Sequence, residues 1–155
     1  MESYTNPSGR GGVVSGGAAG LQTAKEAAAP KRKGKGPGTY QDLKVWQRAM
    51  ELAESCYVGT RDFPKEEIYG LTSQMRRAAA SVAANIAEGY GRESRGDFLR
   101  FLRTAQGSLK ELETYVILCR RIAVGSEETL TRIGRECEEV GKMLRAFMRY
   151  LQGRK

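Results

Sequence analysis

The sequence predicts an all-α protein, an antiparallel up-down-up-down four-helix bundle behind a Gly-rich basic N-terminal tail. Three observations carry this. From Thr39 onward, large apolar residues recur at spacings of three and four, the period of a helix. No stretch alternates polar and apolar in the manner of a strand. Glycine, proline and capping residues divide the periodic region into four segments with short connections, and short connections place consecutive helices antiparallel.

The first helix opens at Thr39 and Asp42, spaced for a capping box, and carries Leu43, Trp46, Met50, Ala53 and Tyr57. Gly59 and the Phe63-Pro64 pair close it and open the second. The second stripe is Leu71, Met75, Ala78, Val82 and Ile86, with Gly89 and Gly91 expected to break it. Ser94 and Asp97 cap the third helix, whose stripe is Phe98, Leu102, Ala105, Leu109, Leu112, Val116 and Cys119. Gly125 stops it. Ser126, with Glu127 and Glu128 suited to the positive end of a helix dipole, starts the fourth. That helix shows Leu130, Ile133, Cys137, Val140, Leu144, Phe147 and Leu151. Among the glycines inside helical patterns, Gly107 and Gly141 are expected to admit close helix approach.

The chain divides unequally, into a tail over 1–38 and a bundle over 39–155. Residues 1–39 hold nine of the nineteen glycines and three of the four prolines. Too little apolar surface is available there to offset the entropy of ordering, so a flexible tether is expected. It bears the basic cluster Lys31, Arg32, Lys33 and Lys35, and half of the net charge of +8. A pI near 9.6 favours an acidic partner, above all the phosphate backbone of RNA or DNA.

Composition also excludes. With no histidine, the chain cannot build Ser-His-Asp or Cys-His catalysis or a His-based metal site. The three cysteines, Cys56, Cys119 and Cys137, lack CxxC spacing and fit a reducing compartment. Cys119 and Cys137 fall on apolar stripes as small core residues. No catalytic residue, metal site or cofactor is expected. No segment reaches the roughly 18 apolar residues of a membrane span, and no signal-type apolar region begins the chain, so the expected location is the cytoplasm, without a membrane partner.

Two constellations stand apart from the core. Gln74, Arg77, Ser81, Asn85 and Glu88 line the flank of the second helix at helical spacing, and Thr104, Ser108 and Glu111 an equivalent flank of the third. Polar groups near a seam need partners, so a network fixing register, or an oligomer interface, is expected there. Arg77 is placed to pair with Glu111 or Glu88. The second constellation is cationic. Arg76, Arg92, Arg95, Arg100 and Arg103 are assigned to the turn between helices two and three, and Arg120 and Arg121 to the far end of helix three. They are candidate phosphate contacts; without aromatic residues interleaved among these arginines, base stacking has little support.

DLKVWQRAMELA, YGLTSQMRRAAASVAANIAEGYGRES and FLRTAQGSLKELETYV resemble the four-helix bundle proteins encoded by intervening sequences in bacterial 23S ribosomal RNA genes. The resemblance spans roughly Tyr40 to Leu151. It implies an antiparallel bundle assembled into a ring, typically a homopentamer, without enzymatic activity and with nucleic acid as partner. A related branch, the accessory variability determinants of diversity-generating retroelements, implies a second reading: a scaffold subunit acting beside a reverse transcriptase and its RNA, with protein contacts dominant. Where the family often has a proline, this chain has Ala83, so a kink in the second helix is not carried over. The small residues Ala79, Ala80, Ala83, Ala84 and Ala87 leave that helix lightly clad, fit to approach one neighbour within its bundle and another in an adjoining subunit.

Overall fold

The computed structural model describes residues 38–153. Four helices follow one another: α1 (Lys44–Gly59), α2 (Leu71–Tyr90), α3 (Arg95–Arg121) and α4 (Glu127–Gly153). Single 3-10 turns precede α1 (Tyr40–Asp42) and α2 (Lys65–Glu67), and no strand occurs among the described residues. Each helix packs on its two neighbours around the bundle, and the backbones of the diagonal pairs stay apart. The topology is therefore antiparallel and four-cornered. With 27 residues each, α3 and α4 span about 40 Å. α2 runs unbroken through Ala83.

Local chemistry sets the helix starts. Ser94 Oγ accepts the Asp97 N–H at 3.0 Å, and Ser126 Oγ accepts the Thr129 N–H at 3.2 Å, each relieving an orphan donor of the first turn. Asp42 Oδ2 accepts the Thr39 N–H at 2.8 Å, but this closes the 3-10 turn, and α1 itself begins two residues later.

The stripes of α3 and α4 are buried as their spacing implies, except that Phe98 and Leu151 are only half-buried. In α1 the spacing misleads. The residues that reach the core are Val45, Ala49, Leu52, Ala53 and Cys56, whereas Trp46 and Met50 are half-buried and Tyr57 is 49% exposed. Two stripes one residue apart fit the same period. The stripe containing Ala49 and Cys56 is the slimmer, so neighbouring helices pack onto it, and the bulky stripe is left on the flank.

The glycines also depart from expectation. Gly89 does not end α2. It lies buried inside it, and a Cβ there would stand 2.7 Å from Phe101 Cβ and 2.8 Å from the Phe98 ring. A Cβ at Gly141 would stand 3.3 Å from Leu109, the close approach anticipated, whereas one at Gly107 would meet no neighbouring element within 4 Å. α3 ends at Arg121, ahead of Gly125, and is closed by Ala123, whose φ of 57° is left-handed, with the Val124 N–H returning to the Cys119 carbonyl at 2.9 Å. All three cysteines are buried and free. Burial pushes the Cys56 thiol up to about 12 and raises those of Cys119 and Cys137, so all three act as protonated packing groups.

Candidate nucleic-acid interface

The polar flank of α2 separates into three parts. At its centre Ser81 Oγ meets Ser108 Oγ at 2.9 Å, and Asn85 Nδ2 donates to Ser81 Oγ at 3.0 Å and to the Ser81 carbonyl at 2.8 Å. These groups are half-buried, and the bond across the seam ties α2 to α3 in one register. Toward the start of α2, Arg77 donates to Gln74 Oε1 and stands 3.9 Å from the Glu111 carboxylate. Arg77 is 69% and Glu111 43% exposed, so this pair is solvated rather than sunk into the seam. Tyr115 donates to Glu111 at 3.1 Å; desolvation, then that bond, raises its hydroxyl pKa. Glu88 belongs to neither part. It accepts from Arg92 at the α2–α3 turn. Thr104 is exposed and bonds back to the Arg100 carbonyl at 3.2 Å.

The arginines divide between the two ends of the bundle. Arg76 does not join the turn cluster. It sits near the start of α2, 14 residues and about 21 Å of helix from Tyr90. Its Nε donates to Thr60 Oγ1 at 2.8 Å, Thr60 Oγ1 donates to the Cys56 carbonyl at 2.8 Å, and its guanidinium lies 5.0 Å from the Tyr57 ring centroid. Arg76 therefore latches the end of α1 to α2. Arg120, at the same end, is held by Glu127 at 3.0 Å and Thr131 at 3.1 Å. Hydrogen bonds from Thr131 and Arg120 lower the Glu127 pKa. Arg121 is exposed beside it.

At the other end, Arg92 and Arg100 flank one ring. Their guanidinium carbons lie 4.9 and 5.0 Å from the centroid of Phe101. Glu88 steadies Arg92, and Asp97, 3.7 Å away, steadies Arg100. Arg95 reaches across to the Leu151 carbonyl of α4 at 3.2 Å, and Arg103 is exposed one turn beyond Arg100. Phe101 is the aromatic residue that sequence reading overlooked. Its signal was the run LRFLR, in which a ring stands between two arginines.

Charge follows the same division. The half built from 40–47, 81–109 and 140–153 carries eight Lys/Arg and four Asp/Glu, whereas 48–80 and 110–139, which include Arg48 with its partners Glu51 and Glu139, carry ten and twelve. The described bundle is thus positive at the α2–α3 turn and negative at the other end. Lys142, Arg145 and Arg149 contribute to the positive half, and they too were overlooked, although 140–153 contains no acid to offset them. The chain enters at this same end, where the Tyr90 hydroxyl donates to the Gly38 carbonyl. Lys31, Arg32, Lys33 and Lys35, and the tail expected over 1–38 except Gly38, lie outside the described residues.

A different surface lies along α1 and α2. Trp46, Met50 and Tyr57 overhang Ala80, Ala83, Ala84 and Ala87, with Tyr40 at one end, and enclose an apolar groove of about 430 Å³. Ile68 and the 95% exposed Tyr69 extend it. No group of three or more metal-ligating side chains converges among the described residues, and none of their helices is long and apolar enough to cross a membrane.

Comparison with known proteins agrees with this architecture. No curated protein matches the chain. A crystal structure of a protein of unknown function from the S23 ribosomal protein family of Bacteroides thetaiotaomicron is similar, with a TM-score of 0.61 and 24% identity. The match covers 67% of this chain and 97% of that one, and shows a shared fold. The family model described as 23S rRNA-intervening sequence protein matches residues 41–146, from the 3-10 turn before α1 to the last third of α4, and by that match the chain belongs to this family.

Proposed function

We propose that the protein is a non-catalytic, self-assembling bundle that holds nucleic acid, RNA in particular, by its phosphate backbone. The observation that carries this reading is the segregation of charge: a surplus of cations at the α2–α3 turn end and a surplus of acids at the other. Evenly mixed surface charge gives solubility. A one-sided surplus gives a directional field that draws a polyanion to one end. The family description names 23S rRNA, and RNA is the ligand the reading takes. Contacts to phosphate read little sequence and release counterions, so binding falls with salt by about 0.7–0.9 logarithmic units per logarithmic unit of salt for each phosphate neutralised. Titration of the full chain with a structured RNA and a duplex DNA across a salt series tests this. A flat salt response, or no binding at low salt, removes the reading.

Self-assembly is supported by the α1–α2 groove. Ala80 and Ala84 are exposed on a helix with little side-chain bulk, beside half-covered Trp46 and Met50. Close approach of a second copy buries this surface, and a ring multiplies the basic end. Ala84→Glu places a charge in the groove and is expected to reduce the molecular mass measured by light scattering to that of one subunit. An unchanged mass counts against this face as the interface.

A further inference from the structure

We infer that the Arg92–Phe101–Arg100 cluster is a stacking site for an unpaired nucleobase, so that the basic end prefers single-stranded nucleic acid to duplex. This rests on the proposed nucleic-acid binding and sharpens its substrate class. Phe101 is half-buried, and its stem is pinned where Gly89 lets α3 close on α2, so the direction of the ring is fixed by the packing of two helices. Phe98 beside it is braced edge-on by Tyr90 and Phe147, at centroid distances of 6.1 and 5.5 Å. The platform is therefore rigid before any ligand arrives, which limits the ordering cost of binding.

The two guanidiniums are open as well as anchored. Arg92 remains 47% exposed and Arg100 69%, while Glu88 and Asp97 hold them near the ring. A planar guanidinium stacks on a base as an aromatic ring does, and its edge still donates to phosphate. An unpaired base thus finds a continuous stack of guanidinium and ring, with the exposed Arg103 one turn away for the neighbouring phosphate. A base inside a duplex has both faces covered by its neighbours and offers only backbone. Arginines that served phosphate alone would need no shared ring, and at the opposite end the guanidinium that meets a ring, Arg76 at 5.0 Å from the Tyr57 centroid, is a single one already bonded to Thr60.

The test compares a single-stranded RNA and a duplex of equal length against the full chain across a salt series. Phe101→Leu keeps the apolar stem against Gly89 and removes the ring. Arg92→Lys and Arg100→Lys keep the charge and remove the plane. The expected result is tighter single-strand binding, weakened about fivefold to tenfold by Phe101→Leu and severalfold by Arg100→Lys. The salt slope and the duplex affinity stay unchanged. Thermal unfolding checks that each variant is folded, and the lysine variants give the reading should Phe101→Leu not fold. Equal affinity for strand and duplex, or loss of the two ligands in parallel, overturns this inference while leaving nucleic-acid binding in place. Absence of binding to either ligand at low salt overturns both.

Discussion

The two ends of the bundle use arginine differently. At the start of α2, Arg76 is consumed by Thr60 and the Tyr57 ring, and Arg120 by Glu127 and Thr131. These side chains fasten the loops that join α1 to α2 and α3 to α4, and the local acids outnumber them. At the α2–α3 turn Glu88 and Asp97 pair with Arg92 and Arg100 in solvent, while Arg95 and Arg103 are exposed with no carboxylate in ion-pair reach among the described residues. A count of arginines therefore says little about a surface. What matters is whether each guanidinium is tied down by local bonds and which sign of charge surrounds it.

Reversing charge at each end is the most direct way to break that comparison. Arg95→Glu with Arg103→Glu is expected to weaken RNA binding by on the order of tenfold or more near 0.1 M salt, and to flatten the salt slope by about one unit per lost phosphate contact. The matched change at Arg120 and Arg121 is expected to alter affinity by less than about threefold, since that end repels polyanions already. Equal losses from the two pairs would show that the ends are not distinct.

A packing substitution sharpens the same contrast. Gly89→Ala sets a methyl group 2.7 Å from Phe101 Cβ and 2.8 Å from the Phe98 ring, and neither neighbour is a free side-chain tip. Overpacking of this kind costs about 1–3 kcal/mol. The better helix propensity of alanine returns no more than about 1 kcal/mol. The expected outcome is a net loss of roughly 1–2 kcal/mol and a melting temperature lower by about 4–8 °C per kcal/mol. A melting temperature that holds or rises would mean that α2 and α3 can part without cost, and that Phe101 is not held as described.

Much of this architecture was legible in the sequence, for identifiable reasons. Caps are local, so Ser94 with Asp97 and Ser126 with its two glutamates gave two helix starts to within a residue. The stripes of α3 and α4 each allow one reading. α1 does not, because Val45, Ala49, Leu52 and Cys56 compete with Trp46, Met50 and Tyr57 at the same period, and only the position of α2 decides between them. The facing of Ser81, Asn85 and Ser108 could be read from helical spacing. Their separation from Arg77 and Glu88 could not, since it depends on how far each side chain lies from the seam. The cluster at the turn failed for Arg76 through simple length, 14 residues being too far along a helix to share a site. Phe101 was missed because Arg92, its second guanidinium partner, comes from the turn nine residues earlier and is not part of the LRFLR run.

The smallest expected effect lies at the acidic end, where α3 stops. Ala123 adopts a left-handed φ of 57°, the position that closes a helix through the Val124 to Cys119 bond. Left-handed backbone costs an L-residue about 1–2 kcal/mol, a penalty that glycine escapes. Against that, glycine loses about 0.4–1 kcal/mol more on folding than alanine, because its unfolded chain is freer. Ala123 is exposed, so its methyl group contributes little packing to set against the change. The balance favours Ala123→Gly by about 0.5–1 kcal/mol, measured as a melting temperature a few degrees higher. RNA affinity should not move, since the substitution leaves charge untouched and lies far from the basic end. A fall in melting temperature would mean that backbone freedom outweighs strain here, and a change in affinity would mean that the two ends do not act separately.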